Sequence, residues 1–189
     1  MKIVVCVKQA ANGDLNPFDA CAYEAALRIP DAEVVLLSMA PMKSKELLFS
    51  LTRLGAKKAV LLSDRAFIGA DTLATAYALS LAVKKLEPDL VICGRQTVDG
   101  DTGQTGPGLA EALGYSIIPN VMEILDTEEK LTCRTRTMGE MTVSYPALIT
   151  VERINNLRLP SIRSKLGEVE VWTAQDVCAD PDRIGLHGS

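Results

Sequence analysis

A chain of 189 residues suits one domain and buries roughly 70% of its unfolded surface on folding. Hydrophobic residues make up 48% and charged residues 23%, the balance of an ordinary soluble globular protein. Lys and Arg total 20 against 24 acidic residues, for a net charge of −4. No basic cluster stands out, which argues against nucleic acid as a partner. The apolar runs are too short to span a bilayer, and the first residues already read as a strand, so neither membrane insertion nor a signal peptide is expected. Cys6, Cys21, Cys93, Cys133 and Cys178 are scattered, with no C-x-x-C pair. That is the usage of reduced, mostly buried thiols in a cytoplasmic protein.

The predicted elements alternate from the start. Lys2–Val7 is a β-branched strand. A helix is predicted from Pro17 to Arg28, with Asn16 as N-cap and Pro17 at the favoured first helical position. Glu33–Ser38 is a second strand, and Ser44–Leu54 a second helix closed by Gly55. Lys58–Leu62 is a third strand. Asp71–Lys85 follows as an Ala- and Leu-rich helix, with Asp71 or Thr72 at its cap. Asp89–Cys93 is a fourth strand and Gln104–Leu113 the helix after it. Strands alternating with helices of roughly 10–15 residues predict βαβ units and a parallel sheet covered on both faces.

The rhythm changes after Tyr115. Pro119–Ile124, Lys130–Thr137 and Met141–Ser144 are short and polar-interleaved, which predicts an antiparallel hairpin or meander attached to the sheet. Ala147–Val151 returns to the core. Asn155–Gly167 has neither period and mixes Arg158, Arg163 and Lys165 with Leu157, Leu159, Ile162 and Leu166, so an exposed segment is expected. Val169–Trp172 resumes a strand, and Asp180–Arg183 reads as a last turn.

The segment Val91–Pro107 carries the most functional information. A buried strand gives way to a polar turn with Gly94, Gly100, Gly103 and Gly106, then to a helix. Such a turn can aim several backbone N–H groups at one point, and the helix dipole adds positive potential suited to a phosphate. Ligands of open α/β sheets sit outside the carboxyl ends of the strands. Three loops meet that edge: Lys8–Asn16, Ser38–Pro41 and Gly94–Thr105. A nucleotide would set its adenine against the first two and its phosphates on the third. Machinery for bond cleavage is missing, since there is no G-K-[ST] P-loop and no G-x-G-x-x-G. The single histidine, His187, lies next to the carboxyl end, away from any triad or metal cluster. Asp99 and Asp101 fit turn-forming, ribose-bonding or backbone-bonding roles better than a metal site. The residues describe a binding module.

These motifs resemble a known family. Met1–Gln9 (MKIVVCVKQ), Asn16-Pro17-Phe18-Asp19 with Ala22–Arg28, Leu54-Gly55-Ala56, Leu61–Phe67 and Gly69–Thr75 are similar to the β subunit of electron transfer flavoproteins. The most specific match is Cys93–Pro107 (CGRQTVDGDTGQTGP), and Pro146–Val151 and Glu170–Ala174 extend the resemblance over nearly the whole chain. It implies an α/β adenine-nucleotide-binding fold of three layers, shared with universal stress proteins, with the stretch 115–145 as a small antiparallel appendage on a single domain, 1–189. It implies an electron carrier, not an enzyme. A larger α subunit would hold an FAD, and the heterodimer would shuttle electrons between flavin dehydrogenases, such as acyl-CoA dehydrogenases, and a downstream acceptor.

By motif match, the nucleotide of this subunit would contact Cys6, Asn16, Pro17, Phe18, Asp19, Met39 and the loop Gly94, Arg95, Gln96, Thr97, Val98, Asp99, Gly100, Asp101, Thr102, Gly103, Gln104 and Thr105. That nucleotide is AMP in most members and a second FAD in electron-bifurcating ones. Asp99-Gly100-Asp101-Thr102 resembles the FAD-binding group, with Arg95 placed to hydrogen-bond a flavin. The stretch 152–168 matches the segment that docks dehydrogenases, and Arg158, Leu159, Ile162 and Arg163 are its expected docking residues. Two departures are visible. Ala10–Leu15 replaces a β-hairpin by a short connection, and the basic run and C-terminal arm of the family are expected to be absent. A stand-alone stress-type nucleotide module is the alternative reading, although its G-x-x-G-x9-G-[ST] pattern is lacking.

Overall fold

Strands with apolar residues on both faces must be buried on both faces, and the chain meets this by building three layers. The computed structural model describes residues 1–189. β1 (Lys2–Cys6), β2 (Glu33–Met39), β3 (Lys58–Leu62) and β4 (Leu90–Gly94) are parallel, and β1 lies between β2 and β4. The connecting helices are α1 (Pro17–Leu27), α2 (Lys45–Thr52), α3 (Thr72–Leu86) and α4 (Thr105–Leu113). Alternate strand residues divide cleanly between two cores. Ile3, Val5, Leu36 and Ile92 pack with Ala22, Tyr23 and Leu48 of α1 and α2. Val4, Leu37, Val60 and Val91 pack with Ala78, Leu79 and Leu109 of α3 and α4.

The later strands complete one nine-stranded sheet. β5 (Ser116–Asp126), β6 (Leu131–Thr135) and β7 (Gly139–Val143) form the antiparallel meander expected from the sequence. β8 (Ala147–Val151) inserts between β5 and β4, parallel to both, and β9 (Glu168–Trp172) adds to the far edge beside β3. The order is β7-β6-β5-β8-β4-β1-β2-β3-β9.

β5 starts earlier and ends later than the predicted strand, because it serves two partners. Its first half pairs with β8, and the register then shifts between Ile118 and Val121. Pro119, which cannot donate to a ladder, and Asn120, at φ +53°, make that irregularity. Beyond it the strand turns to β6. The second helix is shorter than expected, with a 3-10 turn over Met42–Ser44 before α2. Of the two candidate caps of α3 it is Asp71 that serves, accepting from the Ala74 N–H at 2.9 Å. Asn16 does not cap α1 with its side chain. That side chain is committed elsewhere, as the site shows.

Candidate functional site

From β1 the chain winds outward through β2 and β3, then crosses back to β4 on the other side of β1. The loops leaving β1 and β4 therefore diverge, and a cleft opens between them at the strand ends. Its volume is about 400 Å³. Cys6, Asp19, Met39, Gly94, Arg95, Gln96, Thr97, Gly100, Thr102, Gly103 and Thr105 line it. Asn16, Pro17, Phe18, Val98, Asp99, Asp101 and Gln104 stand behind this lining or beside it. A third wall was missed. Ala70, Asp71, Thr72 and Thr75, where α3 begins, face the cleft opposite the glycine-rich loop. The run Gly69–Thr75 was the available signal, since the loop after the third strand reaches the same edge.

The glycine-rich loop is held from behind. Asn16 is fully buried; its Nδ2 donates to the Gln96 carbonyl at 2.9 Å, and its Oδ1 accepts from the Val98 N–H at 3.3 Å. Asp99 accepts from the Ala11 N–H at 3.1 Å, tying the loop to the connection after β1. Within the loop, Asp101 N–H donates to the Thr97 carbonyl and Gly100 N–H to Thr97 Oγ1. Asp101 and Gly103 both sit at positive φ, +48° and +62°. This turn leaves the N–H groups of Thr102 and Gly103 without an acceptor in the chain. They stand at the N-terminus of α4, where a phosphate or another anion would find both donors and dipole.

Gly94 has a different task. A Cβ there would lie 2.3 Å from Asp19 Oδ1 and 2.7 Å from the Phe18 carbonyl carbon. The strand end thus presses against the start of α1, and Asp19 is buried in the seam, accepting from the Lys8 N–H at 2.8 Å. Burial raises its carboxyl to about 7, against the opposing pull of hydrogen bonds from Asn16 and from the Lys8 and Gly94 N–H groups. Two cations border the cleft. Lys8 Nζ lies 3.9 Å from Asp99, and Arg95 is held 3.4 Å from Glu152, whose carboxylate also meets Arg136 at 3.7 Å. On the floor, Cys6 and Cys93 stand opposite one another in the β1–β4 register.

Beside the cleft, past Met39, lies a second cavity of about 440 Å³ at the ends of β2 and β3. Met39 borders both. No group of three or more metal-ligating side chains exists.

The segment 152–168 is displayed as expected, but its residues separate into two kinds. Leu159 and Ile162 are 89% and 100% exposed. Arg158 instead turns back to the buried Glu24, with Nε 3.0 Å and Nη2 3.1 Å from its two oxygens. The Arg158 N–H also donates to Glu24, at 3.1 Å, and Arg28 Nε adds a further contact at 2.9 Å. Burial alone would raise Glu24, but the hydrogen bonds from Arg158 and Arg28 outweigh it and bring the carboxyl down to about 2.

A doubly covered, mostly parallel sheet with a glycine-rich loop at its switch point defines an open α/β fold. The chain belongs to the electron transfer flavoprotein domain family, whose model matches residues 3–177. It is 38% identical to the electron transfer flavoprotein subunit beta of Clostridium acetobutylicum, over 100% of this chain and 85% of that protein. It is 36% identical to the FixA protein of Azorhizobium caulinodans, over 100% of this chain and 81% of that one. Identity to CarD, a subunit of the caffeyl-CoA reductase-Etf complex of Acetobacterium woodii, is 35%, over 100% and 84%. The chain is accordingly of the electron-carrier class and not an enzyme. No helix is long and apolar enough to cross a membrane.

Proposed function

We propose that this chain is the β-type subunit of an electron transfer flavoprotein. It pairs with an α subunit that holds FAD, and the heterodimer carries electrons between flavin dehydrogenases and a downstream acceptor in the cytoplasm. Its own cleft holds an adenine nucleotide, FAD in preference to AMP. The observation that carries the choice is the pair of adjoining compartments, about 400 and 440 Å³, that share Met39. One compartment of that size accommodates a mononucleotide; a dinucleotide extends through both.

The residues present fit such a group. The open N–H donors of Thr102 and Gly103 suit its phosphates. Thr72 and Thr102 hydroxyls, 3.5 Å apart, offer hydrogen bonds from the two facing walls. Arg95, steadied by Glu152, supplies a fixed cation for an electron-rich ring edge. FAD supplies electron storage when bound; the chain binds it, orients it and keeps water from one face. Leu159, Ile162 and Arg163 are the docking residues for dehydrogenases, and Arg158 positions the segment that bears them.

The test is the identity of the small molecules released on denaturing the chain co-purified with its α subunit, by absorbance and mass spectrometry. Two FAD per heterodimer is the expected result and fits a carrier that divides electrons between two acceptors. One FAD with one AMP would overturn the dinucleotide assignment and leave a simple shuttle. Absence of any nucleotide beyond the α-subunit FAD would overturn the site itself.

A further inference from the structure

The floor of the cleft holds a pair of thiols that nucleotide binding does not require. Cys6 ends β1 and Cys93 lies at the same level of β4. Directly paired residues of parallel strands project to the same side, and both cysteines pack on the core beneath α3 and α4. Both line the cleft. Cys6 is half-buried and Cys93 buried. The other cysteines have no such neighbour. Cys21 donates to the Asn155 carbonyl at 2.8 Å, Cys133 is buried in the opposite core, and Cys178 is exposed far along the chain.

We propose that Cys6 and Cys93 form a reversible dithiol–disulfide couple, a peroxide-oxidisable site in the floor of the open cleft. Neighbouring strands run about 4.8 Å apart, inside the Cα range of roughly 4.4–6.8 Å that a disulfide tolerates. Relaxed bridges bring Cβ atoms to about 3.8 Å, so a bridge in this register is strained. Strained bridges are the readily reduced ones.

The chemistry balances with hydrogen peroxide as oxidant. Cys6, the more open thiol, attacks one peroxide oxygen as its thiolate. The O–O bond breaks, and the departing hydroxide takes up the thiol proton as water, leaving a sulfenic acid on Cys6. Cys93 then loses its proton and its Sγ attacks Cys6 Sγ. The S–O bond breaks, and the hydroxide leaves with that proton as a second water. Two thiols and one peroxide become one disulfide and two waters. Cys93 in the resting pair is held as a thiol, first by the neighbouring Cys6 thiol and then by burial. Oxidation of Cys6 removes that neighbouring thiol's share of the effect, while the share due to burial remains.

Occupancy of the cleft decides access, a point that rests on the nucleotide reading above. The experiment uses the full chain carrying Cys178→Ser, stripped of nucleotide and treated with hydrogen peroxide. Thiols are counted, and peptides are mapped by mass spectrometry. The expected result is loss of two thiols, a Cys6 peptide joined to a Cys93 peptide, and full recovery with dithiothreitol. Cys6→Ser should then protect Cys93. Retention of both thiols, or sulfinic acid accumulating on Cys6 without a cross-link, overturns the couple. Repeating the oxidation with excess FAD or AMP separates the two readings. Slower cross-linking supports both. Cross-linking at an undiminished rate upholds the couple and overturns the placement of the nucleotide.

Discussion

Asn16 shows how one side chain can set the shape of a binding loop it does not itself form. Its amide offers a donor and an acceptor at fixed separation, and the loop supplies a carbonyl at Gln96 and an N–H at Val98 to match. Asn16→Ala should lower stability by about 1 kcal/mol, because two part-buried backbone groups lose partners, and should weaken nucleotide retention more than it lowers the urea midpoint. Asn16→Asp keeps the acceptor but sets a carboxylate against the Gln96 carbonyl, so it should not rescue binding. The sequence made Asn16 readable as a helix cap, because Asn before Pro favours that role. Nothing local reveals that its partners lie about eighty residues away.

The glycines of the loop divide by what surrounds them. A Cβ at Gly100 meets only Thr97 Oγ1, at 3.3 Å, whereas one at Gly94 collides with the backbone of α1. Gly100→Val should abolish nucleotide retention with a small change in melting temperature. Gly94→Val should destabilise the fold itself, by roughly 1–3 kcal/mol or more. Gly103→Val is a poorer probe than its place in the loop suggests, since the positive φ there strains any side chain. Asp19 and Glu24 make opposite contributions with pH. Asp19 binds its proton more tightly in the fold, about 7 against 3.8 unfolded. Its stabilising effect is full below pH 3.8 and is lost as pH rises through about 7. Glu24, lowered from 4.5 to about 2, stabilises above pH 4.5 and loses that effect as pH falls toward 2. Melting curves across this range should show both limbs, and Asp19→Asn should flatten the upper one.

At the scale of elements, the segment 152–168 is a strap tied near its ends, by Glu152 and the Asn155 carbonyl on one side and the Gly167 N–H on the other, and at its middle by Arg158. Regular structure is absent there, and the Glu24–Arg158 pairing supplies the order that a helix or strand would give. Arg158→Ala should leave the sheet intact and make the strap a preferred site for limited proteolysis. If binding of a dehydrogenase depends on its shape, the variant should lose affinity although Leu159 and Ile162 are untouched. An unchanged cleavage pattern would contradict the fastening. The sequence marked this strap as exposed because it lacks either period. It gave no sign that one of its two central arginines is an anchor, since that depends on a carboxylate of α1 brought near by the fold. β5 shows the same limit. The predicted strand starts at Pro119, a residue suited to a first strand position, while in the sheet Pro119 and Asn120 form the bend that lets one longer strand serve a parallel and an antiparallel neighbour.

For the whole molecule, the layers were legible and the order of strands only partly so. Alternating βα units with doubly apolar strands admit few arrangements, and the cleft follows from where the winding reverses. The loops after β1, β2 and β4 could therefore be nominated from their residues. The α3 wall was not nominated, although the run Gly69–Thr75 leads from the third strand to the same edge. The insertion of β8 between β5 and β4 has no local signature either. It has a consequence for how the chain acquires its structure during synthesis. Until residues 147–151 emerge, β4 presents an unpaired edge on one side, and until residues 168–172 emerge, β3 presents another on the opposite side. Both margins of the early sheet are closed by the last third of the chain, so its formation waits on long-range pairing and is slow for its length. A nascent chain halted near Tyr145 would carry two bare margins able to recruit other copies, and holding such intermediates apart is work for a chaperone.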